Sequence, residues 1–169
     1  MAAPLFTLIT ELQVCIRRDF PLTDPTILNP LNANPLVEGE WLELDSSYLL
    51  KRGSGEGLNA AVFPVHTERG RYDTQAIGKA NVIFAGMYEA ETLVHPADLS
   101  AGGYVIGAPL TVQDVTVGGL TRRGLALSGG TDERTVVGFI TKFSAAPSAS
   151  SAAVQVRFVH FGNQKISVV

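Results

Sequence analysis

The chain predicts an all-β fold: a single small β-barrel or sandwich with an extended N-terminal arm. Three observations lead there. Apolar and polar residues alternate in two long runs near the middle of the chain. Shorter runs of the same kind recur at intervals of about ten residues, punctuated by glycine. A leader whose second half is spaced by prolines precedes them all.

The longest apolar-rich segment is Val82–Val94. Val82, Phe84, Tyr88, Ala90, Thr92 and Val94 share one parity and so one face of an extended chain, while Glu89 and Glu91 fall on the other. Its β-branched and aromatic content favours a strand over a helix. After the loop Pro96–Gly103, Tyr104, Ile106, Ala108, Leu110 and Val112 alternate again. These two strands are expected to pair at the centre of the fold.

Taken in order, residues 5–20 fit a strand, with Phe6, Leu8, Leu12, Val14 and Ile16 alternating, although Leu5, Leu8, Leu12 and Cys15 would also line a helix. The β-branched Thr7, Ile9, Thr10, Val14 and Ile16 favour the extended form. From Pro21 to Pro35, four prolines and Asn29, Asn32 and Asn34 forbid regular structure. Leu22, Ile27, Leu28, Leu31 and Leu36 still place an apolar residue every few positions. That pattern suits a segment laid along a surface, its own or a neighbour's. Two regions are therefore expected: an N-terminal extended arm over 1–36 and a β-barrel domain over 37–169. An arm of 35 residues could reach about 110 Å at most.

Within the barrel domain the expected strands are the stretch around Trp41, Tyr48–Arg52, Ala60–Glu68, the two central runs, Leu125–Leu127, Thr135–Thr141 and the closing Val154–His160. Gly53–Gly57, Arg69–Asp73 and Gly129–Asp132 read as turns. Ser144–Ala153 is almost wholly Ser, Ala and Pro, an exposed loop that does not pack.

Composition narrows function. Apolar residues form 46% of the chain, charged ones 17%, and the formal charge is −3, which argues against a general nucleic-acid binder. Cys15 is the only cysteine, so no internal disulfide and no cysteine-based metal site can form. The first residues do not read as a signal peptide, and no run approaches a membrane span. His66, His95 and His160 lack ligand partners at metal spacing and read as surface or edge histidines, with His160 on the apolar parity of the last strand. Glu89 and Glu91, about 7 Å apart, resemble an acid/base pair but fit a solvated strand face better. Glu38, Glu40, Glu43 and Asp45 lack the spacing of a calcium loop. Arg17-Arg18, Arg69-Arg71 and Arg122-Arg123 suit either two-point contact with a carboxylate-rich partner or plain solubility. No catalytic residue, cofactor or metal site is expected.

Several stretches resemble the small decoration, or cement, proteins of tailed bacteriophage capsids. They are Leu12–Leu22 (LQVCIRRDFPL), Leu28–Leu31, Gly39–Asp45 (GEWLELD), Thr67–Gln75 (TERGRYDTQ), Gly86–Thr92 (GMYEAET) and Val136–Ile140. The resemblance implies a non-enzymatic β-barrel on the outer surface of an icosahedral head. There it would bridge and stabilise major capsid protein subunits in the virion, after assembly in the host cytoplasm. Its partners would be the major capsid protein and neighbouring copies of itself, as dimer or trimer, with no direct nucleic acid and no membrane. The residues expected to meet a partner are Phe6, Leu8, Leu12, Ile16, Arg17, Arg18, Phe20, Leu28 and Leu31. Two alternatives stand: a phage tail or baseplate component, and a carbohydrate- or receptor-binding sandwich using Trp41, Tyr48, Tyr72, Tyr88 and Tyr104.

Overall fold

A computed structural model describes residues 5–28, 31–52, 62–66, 78–100, 103–128 and 134–166; the side chains of 11–19, 25, 28, 134–135 and 162–166 fall outside that description. The expected turns at 53–57, 69–73 and 129–132 lie largely or wholly outside the described residues.

Two antiparallel sheets make a sandwich-like all-β fold. The larger has six strands in the order β1 (Phe6–Pro21), β5 (Lys79–Thr92), β9 (Val156–Ile166), β8 (Arg134–Phe143), β6 (Pro109–Val117) and β7 (Leu120–Leu127). The smaller runs β3 (Leu50–Lys51), β2 (Trp41–Leu44), β4 (Val62–Pro64). A short 3₁₀ turn spans Pro25–Leu28.

β2 shows why the small sheet is buried. Its alternation sends Trp41 to one side and Leu42 to the other, and both sides are covered. Trp41 enters the main core with Tyr88, Ala90, Leu110, Leu125, Ile140, Val156 and Phe158. Its ring lies 6.4 Å from Phe158 and 5.8 Å from His160. Leu42 enters a second core with Phe20, Leu22, Ile27, Leu50, Phe63, Val65, Ala80 and Val82. The second core forms because the end of β1 and the start of β5 wrap around the small sheet, joined to it by the bridges Leu22–Leu50 and Val65–Val82.

The N-terminal segment is extended, as expected, but it lies on its own body. β1 pairs antiparallel with β5 from Phe6–Thr92 to Pro21–Lys79. Phe6, Phe20, Leu22 and Ile27 are all buried within the chain. A greasy strand beside an unpaired backbone ladder meets both its burial and its hydrogen-bonding needs at home. Removing it therefore strips a strand from the sheet, where the arm reading expects a folded remainder.

The two central runs are not neighbours. β5 pairs with β1 and β9, and β6 with β7 and β8. Residues 104–108 form a turn instead of a strand, because Gly103 and Gly107 adopt φ values of +117° and +89°. Gly118-Gly119, with φ of +60° and +79°, closes the two-residue hairpin between β6 and β7. Phe84 also departs from the expected parity. β5 carries an extra residue where Cys15 pairs with Ala85 and Ile16 with Ile83, so Ile83 turns inward and Phe84 outward. Phe84 rests on Phe63 at 4.9 Å and Phe20 at 6.0 Å.

The serine-rich loop is mostly exposed yet anchored. Ser151 is fully buried, its N–H donating to the Ala97 carbonyl at 2.6 Å, and Leu99 donates to Ser148 at 3.0 Å. The closing strand behaves as predicted, with Val156, Phe158 and His160 buried in alternation.

Candidate interaction surface

The polar residues most suggestive of chemistry are used up in structural ties. Glu40 is fully buried and holds two guanidinium groups. Arg52 donates Nε to Oε1 at 2.6 Å and Nη2 to Oε2 at 3.0 Å, and Arg122 donates Nη1 to Oε2 at 3.1 Å. The same arginines donate to the carbonyls of Asn34 and Pro35, each at 2.7 Å. The proline-rich segment is thereby pinned between β2 and β7. Arg122 and Arg123 are buried, so the two-point grip on an outside partner does not apply to them; Arg123 pairs with Asp114 at 3.0 Å.

Glu91 and Glu89 follow the same rule. The β5–β9 register sets Glu91 opposite Arg157, which donates Nη2 at 2.7 Å and Nε at 2.9 Å. That bond raises the Arg157 pKa further above its ordinary value. Glu89 accepts the Thr141 hydroxyl at 2.8 Å. Asp45 accepts the backbone N–H groups of Ser47 and Leu49, which caps the β2–β3 turn and lowers its pKa.

The histidines do not converge. His66 Nδ1 lies 3.3 Å from Glu38, and its ring meets Phe6 edge-on. His95 is buried with Nδ1 2.7 Å from the Pro96 carbonyl and Nε2 2.7 Å from that of Val154, which ties the serine-rich loop to the β5–β6 connection. His160 stacks on Tyr88 at 4.6 Å and 19°, with Nδ1 3.2 Å from the Gly86 carbonyl. Burial pushes its pKa down to about 4. Among the described residues no group of three His, Cys, Asp or Glu could hold a metal ion. No helix among them is long and apolar enough to cross a membrane.

The residues expected to meet a partner are scattered. Phe6 belongs to the main core and Phe20 to the second, both closed by the chain itself. Leu8 packs partly against the main core, and Leu31 stands 91% exposed. Leu12, Ile16, Arg17 and Arg18 lie on β1 and Leu28 on the 3₁₀ turn, with side chains outside the description. The aromatic platform also breaks up. Trp41 and Tyr88 are buried, Tyr104 is half-buried beneath β7, and Tyr48 alone is well exposed among the described ones.

What the fold does assemble is an apolar strip on the outer face of the large sheet. One row across it runs Glu89, Val159, Phe139 on β5, β9 and β8. Phe139 and Phe161 stack at 5.1 Å, both half-buried, and Met87 is 49% exposed on the same side of β5. Beyond the row, Glu91, Arg157 and Thr141 make its polar margin. Sequence reasoning missed this strip by following only the core parity; Val159 and Phe161, apolar on the other parity of the last strand, were the available signal.

The sheet edges differ. Along β7 the edge is plugged: Asn34 donates its side-chain amide to the Thr121 carbonyl at 2.9 Å, and Leu125 N–H donates to the Val94 carbonyl at 2.9 Å. There Gly124 is required, because a Cβ would collide with the Val94 carbonyl. β1 forms the opposite edge, and among the described residues no strand pairs with its outer side. No family model, curated protein or solved structure matches this chain.

Proposed function

We propose that this chain is a non-enzymatic structural protein of a virion. It binds the outer surface of an icosahedral phage head and stabilises neighbouring major capsid protein subunits. The observation that carries the reading is the apolar strip on an ordered sheet face, Met87 exposed and Phe139, Val159 and Phe161 half-buried, with charged residues at its margin. A flat strip rimmed by polar groups suits docking on an extended protein surface, with an apolar centre that excludes water. The capsid assignment draws on the resemblance of Gly39–Asp45, Gly86–Thr92 and Val136–Ile140 to decoration proteins.

The arm-based form of this reading is replaced. Attachment runs through the sheet face and not through Phe6 and Phe20, which are spent on the chain's own cores. A tail or baseplate component is the second reading, since the same strip would serve there. A carbohydrate platform is disfavoured by the burial of Trp41 and Tyr88.

The test is fractionation of virus particles. The protein should copurify with heads in fixed ratio to the shell subunit, and Met87→Lys should lower its occupancy without changing its melting. Copurification with isolated tails would favour the second reading. Absence from particles, or full occupancy by Met87→Lys, would overturn attachment through this face.

A further inference from the structure

We propose that His95 is a proton-operated clamp: the doubly protonated ring locks the serine-rich loop 144–154 onto the β5–β6 connection, and the neutral ring loosens it. The ring is buried and both of its nitrogens face backbone carbonyls, Nδ1 at 2.7 Å from the Pro96 oxygen and Nε2 at 2.7 Å from that of Val154. A carbonyl oxygen can only accept. A neutral imidazole has one N–H and one lone pair, so it satisfies one of these oxygens and turns its lone pair on the other. Imidazolium donates to both, and 2.7 Å is the length of a charge-assisted bond. The geometry is that of the protonated ring.

The two oxygens hold different things. Pro96 is the next residue in the chain, whereas Val154 lies 59 positions on, at the end of the serine-rich loop. The backbone ties between the two loops run from Ser151 N–H to the Ala97 carbonyl at 2.6 Å and from Leu99 N–H to the Ser148 carbonyl at 3.0 Å. Leu99 and Val154 are members of the main core, so the clamp seals one end of it. A bare Nε2 repels the Val154 carbonyl and frees the loop. A bare Nδ1 repels the Pro96 carbonyl and twists the peptide that starts the connection. Either way the seal loosens as pH rises and tightens as pH falls. The surroundings leave this proton to the carbonyls. Loop 144–154 has no titratable side chain. On the connection, Asp98 is exposed and accepts the Ser100 N–H and hydroxyl at 2.8 and 2.6 Å, and Tyr104 is half-buried beneath β7. On the neighbouring strands Arg123 pairs with Asp114, and Arg157 with Glu91.

The isolated full-length chain tests this without any particle, so the outcome is separate from that of head binding. Nitrogen-15 shifts of the His95 ring count its protons. A nitroxide on Ala149→Cys, an exposed loop position, in a Cys15→Ser background reads loop motion by electron paramagnetic resonance. At about pH 5.5 both ring nitrogens should carry a proton and the label should be held. At about pH 8.5 one nitrogen should be bare and the label several-fold more mobile, with one midpoint for both curves. His95→Gln, whose amide donates at any pH, should make label motion independent of pH. His66→Gln, which removes the histidine beside Glu38, should leave the transition in place. The ring shifts of the native chain count the protons even if His95→Gln does not fold. A bare ring nitrogen at about pH 5.5, label motion independent of pH in the native ring, an unchanged transition in His95→Gln, or its loss in His66→Gln would each overturn the clamp.

Discussion

Lowering the pH from 7.5 to 4 is expected to remove about 3 kcal/mol of folding free energy through His160 alone. Its ring is buried in the main core, stacked on Tyr88 and 5.8 Å from Trp41, and its folded pKa lies at about 4 against 6.5 when unfolded. Above pH 6.5 neither state binds the proton and the residue contributes no pH dependence. Below 6.5 the unfolded chain takes up a proton that the folded one refuses, so stability falls by about 1.4 kcal/mol per pH unit until the folded state also protonates near 4. Asp24 and Asp45, whose pKa values are lowered by hydrogen bonds from Thr26 and Leu49, lose their contribution only below 3.8, outside this window. Urea unfolding at half-unit steps of pH, for the native chain and His160→Gln, reads the effect directly. The variant should lose stacking at pH 7.5 and show a much flatter slope between 6.5 and 4. Equal slopes for the two chains would refute the argument, because they would place the proton uptake elsewhere.

Other substitutions test the layers separately. Phe158→Ala should cost about 3–5 kcal/mol, since the side chain is fully buried between Trp41 and Tyr88, whereas Phe84→Ala should cost about 1–2 because its ring is already partly in water; denaturant midpoints compare them. Glu40→Ala leaves the guanidinium groups of Arg52 and Arg122 without their shared carboxylate, and a loss of about 3–5 kcal/mol is expected in the same assay. Deleting residues 1–21 removes β1 with Phe6 and Phe20 and should abolish cooperative melting by calorimetry; a sharp transition would show that the segment is dispensable to the fold.

The fold class was readable because strand period and glycine punctuation are local properties. Val156, Phe158 and His160 announce a half-buried strand from their spacing alone, and the burial follows. Where reading failed, the cause was nonlocal or a single inserted residue. One extra residue on β5 reversed Phe84 and Ile83. Arg122-Arg123 suited either an outside partner or plain solubility, and the fold instead pairs them with Glu40 and Asp114, 82 and 9 positions away. A serine-rich run looked incapable of packing, yet Ser151 is buried and its backbone N–H, donating to the Ala97 carbonyl, anchors the loop. The outer strip escaped notice because its members sit on three strands, and no stretch of sequence shows them side by side.

The leader illustrates a limit of a different kind. A strand rich in Leu, Ile, Val and Phe has the same chemistry whether its ladder is completed by its own chain or by another, so composition cannot assign the partner. In this molecule each side of β1 has a different answer. One side is met by β5 within the chain, and that pairing buries the terminal Phe6 and Phe20 in two different cores. On the other side, no strand among the described residues pairs with it. Because β1 contributes to the monomer's own core, any contact that holds its outer edge also holds the fold. Association through that edge should then raise the melting temperature with protein concentration, by mass action on the folded state. A melting temperature independent of concentration over a hundredfold range would separate the two roles and leave β1 with the internal one alone.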